Sequence, residues 1–249
     1  MLNKIIHYPL SIIHFYRWHP EVAIRYLPVV RAIRNSKFKI LDSRILEVGS
    51  GWLGIAPYLG REVIGLDENF KDKNFPLLKQ VKGNALKIPY ANNSFDIVIC
   101  IDVLEHLPKN KRQTAIDELL RVGKKYVFIG VPCGKESLNQ DLLLDKLYKK
   151  VFSKPFPFLQ EHLKYGLPEE KQITQSIKEA AKINKKDINI RTTGNESLKL
   201  RKFLMRGFIT KNPLIDFIYR KAMLFGIPFF SLFDRPPYYR KLFFVRIKQ

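Results

Sequence analysis

Three glycines and two acidic residues have the types and spacing of a nucleoside-binding turn. Gly49, Gly51 and Gly54 form the pattern G-x-G-x-x-G directly after an apolar stretch. Glycine allows tight or positive-φ backbone, so a ligand can approach the N–H groups and the positive end of a following helix. Asp67 ends the next apolar stretch, where an acid can accept both hydroxyls of a ribose. These signals fit a dinucleotide too, but Glu47 is an acid where dinucleotide sites usually have an apolar residue.

Two later segments add polar groups that follow predicted strands. Residues 83–90 read G-N-A-L-K-I-P-Y, and Asn84 offers an amide oxygen that can accept a hydrogen bond from an amino group. Residues 102–108 read D-V-L-E-H-L-P and come directly after the apolar run 95–101.

Together these segments resemble the motifs of class I S-adenosylmethionine-dependent methyltransferases, in the small-molecule branch, over about residues 40–132. Glu47 and the glycines resemble E/D-x-G-x-G, residues 83–90 resemble G-D-A-x-x-L-P-F, and an E-H-L-P turn often follows strand 4 in that branch. Asn84 replaces the acid of the family, so its adenine contact lacks charge assistance. The resemblance implies S-adenosylmethionine as the cofactor, held by Glu47, Gly49, Ser50, Gly51, Asp67, Asn84, Ala85 and Asp102.

Methyl transfer asks the protein mainly to align the acceptor and exclude water, and a general base is needed only for a poor nucleophile such as an alcohol. His106 and His162 are the candidate bases because an imidazole accepts a proton near neutral pH, although either can be a structural histidine. Asp102, Glu105 and His106 also resemble the acid-x-x-Glu-His cluster that binds a divalent ion in some quinone and small-RNA methyltransferases. Since no fourth ligand is evident, we assign no metal.

Three other interpretations are rejected. A nicotinamide dehydrogenase does not fit Glu47, the segment 83–90 or the E-H-L-P turn. The string 234–238, D-R-P-P-Y, resembles the D-P-P-Y motif of amino-directed nucleic-acid methyltransferases but precedes strand 7 instead of following strand 4. Cys133 after Pro132 resembles the nucleophile for pyrimidine C5 methylation, but a second matching motif is missing.

Alternating strands and helices must position these groups, which is the pattern of an α/β fold. Together with the resemblance it predicts a Rossmann-like methyltransferase fold, with a seven-stranded mostly parallel sheet, strand 7 antiparallel, and helices on both faces. We expect one domain over residues 1–249, with a helical cap (1–40), a cofactor-binding core (41–132), a helical insertion (133–185) and a C-terminal part with a basic helical insertion (186–249). The predicted strands are 44–48, 62–66, 80–82, 95–101, 126–131, 187–192 and 242–247, and the clearest helices are 53–60 and 110–122.

The net charge of +21 indicates an anionic partner or a lysine-rich solvated surface. Residues 131–249 contribute 24 basic against 11 acidic residues.

An apolar share of 46% excludes a disordered chain. Two cysteines exclude a disulfide framework and favour a reducing, cytoplasmic setting. No run approaches the roughly 20 apolar residues of a membrane span, and the N-terminus lacks a secretory cleavage site.

We therefore expect a methyltransferase that acts on an anionic small molecule or a lipid- or carrier-linked saccharide. An RNA methyltransferase is an alternative that the charge favours, but nucleic acid is the weaker candidate partner because no RNA-binding motif is appended. A membrane-peripheral protein with a degenerate fold is another. Residues 217–221, F-I-Y-R-K, and the aromatic segment 229–233 have the composition of surface-bound segments, which makes an anionic membrane surface a candidate partner. The sequence does not determine the oligomeric state.

Overall fold

The computed structural model describes residues 19–35, 42–230 and 232–248. Its strands are β1 (Ile45–Val48), β2 (Val63–Asp67), β3 (Leu78–Lys82), β4 (Phe95–Ile101), β5 (Gly123–Pro132), β6 (Ile188–Ser197) and β7 (Tyr238–Ile247). They form one sheet in the order β3-β2-β1-β4-β5-β7-β6, in which β7 is antiparallel to both of its neighbours and the other pairs are parallel. This arrangement confirms the expected Rossmann-like fold class.

The α-helices of the described residues are α1 (Pro20–Asn35), α2 (Ala56–Leu59), α3 (Arg112–Val122), α4 (Gly134–Phe152), α5 (Gln160–Tyr165), α6 (Glu170–Ile183), α7 (Leu198–Phe208), α8 (Pro213–Arg220) and α9 (Ile227–Phe230). A 3₁₀ turn, Leu104–His106, follows β4. None of these helices is long and apolar enough to cross a membrane. Helix α1 lies within the predicted N-terminal cap, of which residues 1–18 and 36–40 lie outside the described ranges, as does residue 41 of the predicted core.

Helices cover both faces of the sheet because central strands such as β1 and β4 are apolar on both sides. Leu46 and Val48 of β1 face a core that α3 and α6 complete. Ile45 of the same strand, with Ile97 and Ile99 of β4, faces a second core to which α1 and α2 contribute.

The last two strands are longer than the sequence predicts. β6 continues to Ser197, five residues past the predicted end, and β7 begins at Tyr238. The two strands pair along their whole length, from Ile188 opposite Ile247 to Ser197 opposite Tyr238. The polar residues of β6 therefore adopt strand conformation because they pair with β7. Their sequence alone does not have the apolar pattern of a strand.

Parallel pairing brings the carboxyl ends of β1, β2 and β4 to one edge of the sheet, where α/β proteins bind ligands. Gly49 follows β1, Asp67 ends β2 and Asp102 follows β4. Asp102 has a φ of 54°, a left-handed conformation that turns the chain from the strand towards the 3₁₀ turn. Residues from three separate sequence segments thus meet at this edge.

Candidate active site

A cavity of about 310 Å³ opens at this edge of the sheet, near the lower end of the range for small-molecule sites. Six of the residues selected from the sequence lie in its wall: Gly49, Asp67, Asn84, Ala85, Asp102 and His106. The remaining four, Glu47, Ser50, Gly51 and His162, lie beside or behind that wall, as described below.

Glu47 stabilises the glycine turn through a hydrogen bond from the backbone that follows the turn. Its Oε2 atom accepts a hydrogen bond of 2.7 Å from the backbone N–H of Ile55, and its side chain is buried. Burial raises the pKa of Glu47 to about 7, although the Ile55 N–H opposes that shift. A Cβ atom on Gly54 would lie 2.1 Å from this oxygen, so the third glycine of the pattern makes room for the carboxyl group. Ser50 is likewise buried and donates to the Gly51 carbonyl over 2.9 Å.

The carboxylate of Asp67 is oriented by the turn that it faces. Its Oδ2 atom accepts a hydrogen bond of 2.8 Å from the N–H of Gly51, and its Oδ1 atom accepts one of 2.9 Å from Asn69. Gly51 has a φ of +55°, and a Cβ atom there would meet nothing within 4 Å. The space above Gly51 is therefore open, and each Asp67 oxygen keeps a lone pair for a ligand hydroxyl.

Asn84 is fixed by two hydrogen bonds. Its Oδ1 atom accepts from the backbone N–H of Leu86 over 2.7 Å, and its amide nitrogen donates to the carboxylate of Glu68. The amide oxygen thus has one lone pair left for an amino group. Glu68, which also lines the cavity, was not identified from the sequence.

Asp102 lines the cavity, but its carboxylate is held by two arginines. Arg240 of β7 donates to both oxygens, over 2.6 and 2.7 Å, and the Nε atom of Arg25 lies 3.0 Å from Oδ2. Burial opposes ionisation of Asp102, but Arg240 and then Arg25 outweigh it and lower its pKa well below the usual value. Arg240 was not identified from the sequence. The sequence signal for it is a basic residue near the start of an apolar strand.

The two candidate bases, far apart in sequence, lie side by side. His106 Nε2 is 3.4 Å from His162 Nε2, while His106 Nδ1 is 2.7 Å from Glu161 Oε2. His162 Nδ1 lies 2.9 Å from Asp141 Oδ2. Burial, followed by the charge of His162, lowers the pKa of His106. His106 is the member of the pair that reaches the cavity wall.

Arg112 brings these histidines together. Its Nε atom donates to the carbonyl oxygens of Leu104 and Leu107, over 3.0 and 3.2 Å, which fixes the E-H-L-P turn. Its Nη2 atom donates over 2.5 Å to the carbonyl of Gly166, the residue that ends α5. Since α5 carries His162, one buried arginine aligns both segments.

The histidine pair and Glu105 have the donor set of a divalent-cation site. Each histidine directs Nδ1 at a carboxylate, so the two Nε2 atoms face each other, as in metal sites where carboxylates orient the imidazoles. Glu105 is fully buried, and neither of its oxygens has a hydrogen-bond partner within the described part of the chain. One atom from each of the three residues lies within 4.8 Å of the others. Two imidazoles and a carboxylate suit Mn²⁺ or Zn²⁺. His162 is the further ligand that was not evident from the sequence.

The structure explains two residues whose sequence context resembles other methyltransferase motifs. Asp234 accepts hydrogen bonds from the backbone N–H groups of Glu196 and Ser197, over 3.2 and 2.5 Å, where β6 passes into α7. Burial raises the pKa of the Cys133 thiol to about 12, so it is not ionised as a nucleophile must be.

Comparisons with known proteins agree with this geometry. Residues 46–129 match the family model described as "Methyltransferase domain". An uncharacterized protein of Methanocaldococcus jannaschii is 35% identical over 94 residues, which cover 34% of this chain and 40% of that protein. The chain therefore matches less than half the length of this curated relative.

Three solved structures share the fold at low identity. Phosphoethanolamine N-methyltransferase 2 of Haemonchus contortus, solved with S-adenosyl-L-methionine, is 18% identical, covers 89% of this chain and 52% of its own, and has a TM-score of 0.51. The methyltransferase domain of bacterial CtHen1-C is 11% identical, with coverages of 90% and 97% and a TM-score of 0.51. The cyclase SpnF is 16% identical, with coverages of 91% and 82% and a TM-score of 0.53.

One of these structures is a cyclase, so the fold alone does not define the reaction. The assignment of a methyltransferase domain therefore depends on residues 46–129, which match the family model. That segment contains the glycine turn, Asp67, Asn84 and the E-H-L-P turn, which together form the cavity wall. Residues 46–129 thus match a methyltransferase domain, and the chain as a whole shares its fold with these methyltransferase structures.

Proposed function

We propose that the protein transfers a methyl group from S-adenosylmethionine to an anionic small molecule or to a lipid- or carrier-linked saccharide. The observation that carries the proposal is the cavity at the carboxyl ends of β1, β2 and β4. The oriented carboxylate of Asp67 lies in its wall, and so does His106.

The chain's own residues are arranged to hold a nucleoside with a cationic end. Asp67 offers its free lone pairs to the ribose hydroxyls, and Asn84 offers its amide oxygen to the adenine amino group. The open space above Gly51 lets the amino acid part approach the backbone. When bound, S-adenosylmethionine supplies a methyl group on a sulfonium, which an acceptor displaces in line.

His106 is positioned to accept the proton of a hydroxyl acceptor. Its lowered pKa keeps it neutral near pH 7 and therefore able to act as a base. Its Nδ1 atom faces Glu161, which leaves Nε2 to accept the proton and to share it with His162 Nε2, 3.4 Å away. If Glu105, His106 and His162 hold a divalent ion instead, that ion would polarise the acceptor oxygen and lower its pKa.

The acceptor class follows from charge. The carboxylate of Asp102 in the cavity wall is compensated by Arg240. The net charge of +21 then favours an anionic acceptor. Exposed apolar residues in the C-terminal helices support a lipid-linked form of it.

The cofactor assignment is tested by calorimetry with S-adenosylmethionine and S-adenosylhomocysteine on the full chain. Asp67→Ala should weaken binding about ten- to a hundredfold, because hydrogen bonds to a charged group are lost. Glu62→Ala removes an exposed acid near the start of the same strand and should leave the affinity unchanged. Absence of binding, or equal affinity in Asp67→Ala, would reject the assignment.

A further inference from the structure

The helices that follow β6 present large apolar side chains to solvent. Of the thirteen large hydrophobic residues exposed in the described chain, nine lie between residues 203 and 233, so the exposure is concentrated in one region. Leu214 and Phe217 of α8 are 65% and 62% exposed, and Phe229 of α9 is 61% exposed. An apolar patch of this kind marks an interaction surface.

These side chains cannot turn inward, because the inner side of the same helices is already packed. Leu200 and Leu204 of α7 form a buried cluster with Tyr219 of α8. The helices approach so closely that a Cβ atom on Gly207 would lie 2.9 Å from the Tyr219 ring. Phe203, on the outer side of α7, is 61% exposed. We call the outer side of α7, α8 and α9 the C-terminal face.

Basic residues accompany the apolar ones on the C-terminal face. Residues 198–233 contain seven basic residues and one acidic residue, and six of the seven, all but the buried Arg201, are exposed. Lys199 and Arg206 are exposed on α7, four and three positions from Phe203, and therefore lie on the same side of the helix as that ring. Lys202, next to Phe203 in the sequence, is also exposed. The single acid, Asp216, pairs with Arg220 over 2.7 Å, which leaves no acidic charge to oppose an anionic partner.

We propose that the C-terminal face docks on an anionic lipid bilayer. Phenylalanine and leucine side chains enter the boundary between headgroups and acyl chains, while lysine and arginine extend their charges to the headgroups. A second copy of this chain would bring the same positive charge against itself. Nucleic acid would match the cations but would gain no stacking from Leu214, Ile215 or Ile218.

The face is joined to the candidate active site through α7. The inward side of that helix carries Arg201, whose Nη2 atom lies 2.7 Å from Asp141 Oδ1. Asp141 in turn contacts His162. The outer side of α7 is thus linked to the histidine pair through two contacts, Arg201 with Asp141 and Asp141 with His162.

Vesicle flotation of the full chain tests this inference. The vesicles are phosphatidylcholine alone and phosphatidylcholine mixed with phosphatidylglycerol. We expect the protein to float with the mixed vesicles and to lose binding as salt is raised. A double variant, Leu214→Ser with Phe217→Ser, should bind at least tenfold more weakly because two anchoring side chains are gone. Lys202→Glu should also weaken binding.

Matched controls lie on α6, which packs on the opposite face of the sheet. Ile183→Ser removes a side chain that is 64% exposed, and Lys178→Glu reverses an exposed charge, so both should bind vesicles as the wild type does. No flotation with the mixed vesicles, or equal losses in the control variants, would overturn the inference. So would a dimer that the Leu214/Phe217 variant dissociates while vesicle binding stays unchanged. Calorimetry with S-adenosylmethionine should be unaffected by these variants, which separates this test from that of the proposed function.

Discussion

Glu47 is a buried acid that accepts a hydrogen bond from the backbone N–H of Ile55, and its burial outweighs both this bond and the attraction of Arg25. Its raised pKa, about 7 against an ordinary 4.5, means that the folded protein holds a proton there that the unfolded chain releases. The contribution of Glu47 to stability is therefore fully present below pH 4.5 and is lost as the pH rises through 7.

Glu47→Gln should remove this pH dependence. Between pH 4.5 and 8 the wild type should lose up to about 3 kcal/mol of unfolding free energy relative to the variant. Urea unfolding of both proteins across that range measures the difference. Glu62→Gln makes the same chemical change at an exposed side chain, and a pH-dependent difference of similar size there would contradict this interpretation.

At the scale of elements, the strand–turn–helix unit from β1 to α2 depends on two glycines in different ways. Gly54→Ala must accommodate both a φ of +54° and a Cβ atom 2.1 Å from the Glu47 carboxylate. Gly51→Ala faces a φ of +55° but open space. We expect a loss of roughly 1–2 kcal/mol for Gly51→Ala, from backbone strain alone, and at least twice that for Gly54→Ala. Chemical denaturation measures both, and equal losses would show that the Glu47 contact is unimportant.

The sequence predicts elements well where the local pattern determines them. β4 occupies the predicted residues 95–101 because its apolar run is continuous, and α3 ends at Val122 before Gly123 as expected. Gly123, however, is the first residue of β5 and not part of a loop between α3 and β5. β6 is longer than predicted because it pairs with β7. Both departures arise from contacts between strands, which a local pattern does not contain.

At the scale of the whole molecule, Arg240 joins several elements of the described chain. It lies on β7, pairs with Asp102 after β4, and contacts Asn195 and Glu196 of β6 over 3.0 and 3.1 Å. Its side chain is 1% exposed, so its charge is stabilised by these groups instead of by water. Burial opposes this charge, but Asp102 and Glu196 outweigh burial and raise the pKa of Arg240.

Arg240→Ala should be among the most destabilising single substitutions in the chain. It leaves Asp102 and Glu196 buried with fewer compensating charges, which costs about 3–5 kcal/mol of unfolding free energy. Arg246→Ala changes an exposed arginine of the same strand and should stay within about 0.5 kcal/mol of the wild type. Denaturant unfolding compares the two variants. A loss as small as that of Arg246→Ala would show that the pair with Asp102 contributes little.

The candidate site was predictable where one sequence segment builds it and not where distant segments meet. Asp67, Asn84 and His106 lie in the cavity wall because each follows a strand that the pattern reveals. The neighbours of His106 were not predictable, since its contact with His162 depends on how Arg112 aligns two segments. The role of Arg240 was hidden for the same reason.

The position of β7 has a consequence for synthesis on the ribosome. β7 follows β6 in the chain but lies between β5 and β6 in the sheet. Until residues 238–247 have been translated, β6 has no neighbour and the outer edge of β5 is an open template for other chains. A stalled nascent chain would therefore expose that edge. Asp102 would have Arg25 but not Arg240 as a partner, so chaperones would encounter a half-made sheet with a partly compensated buried charge.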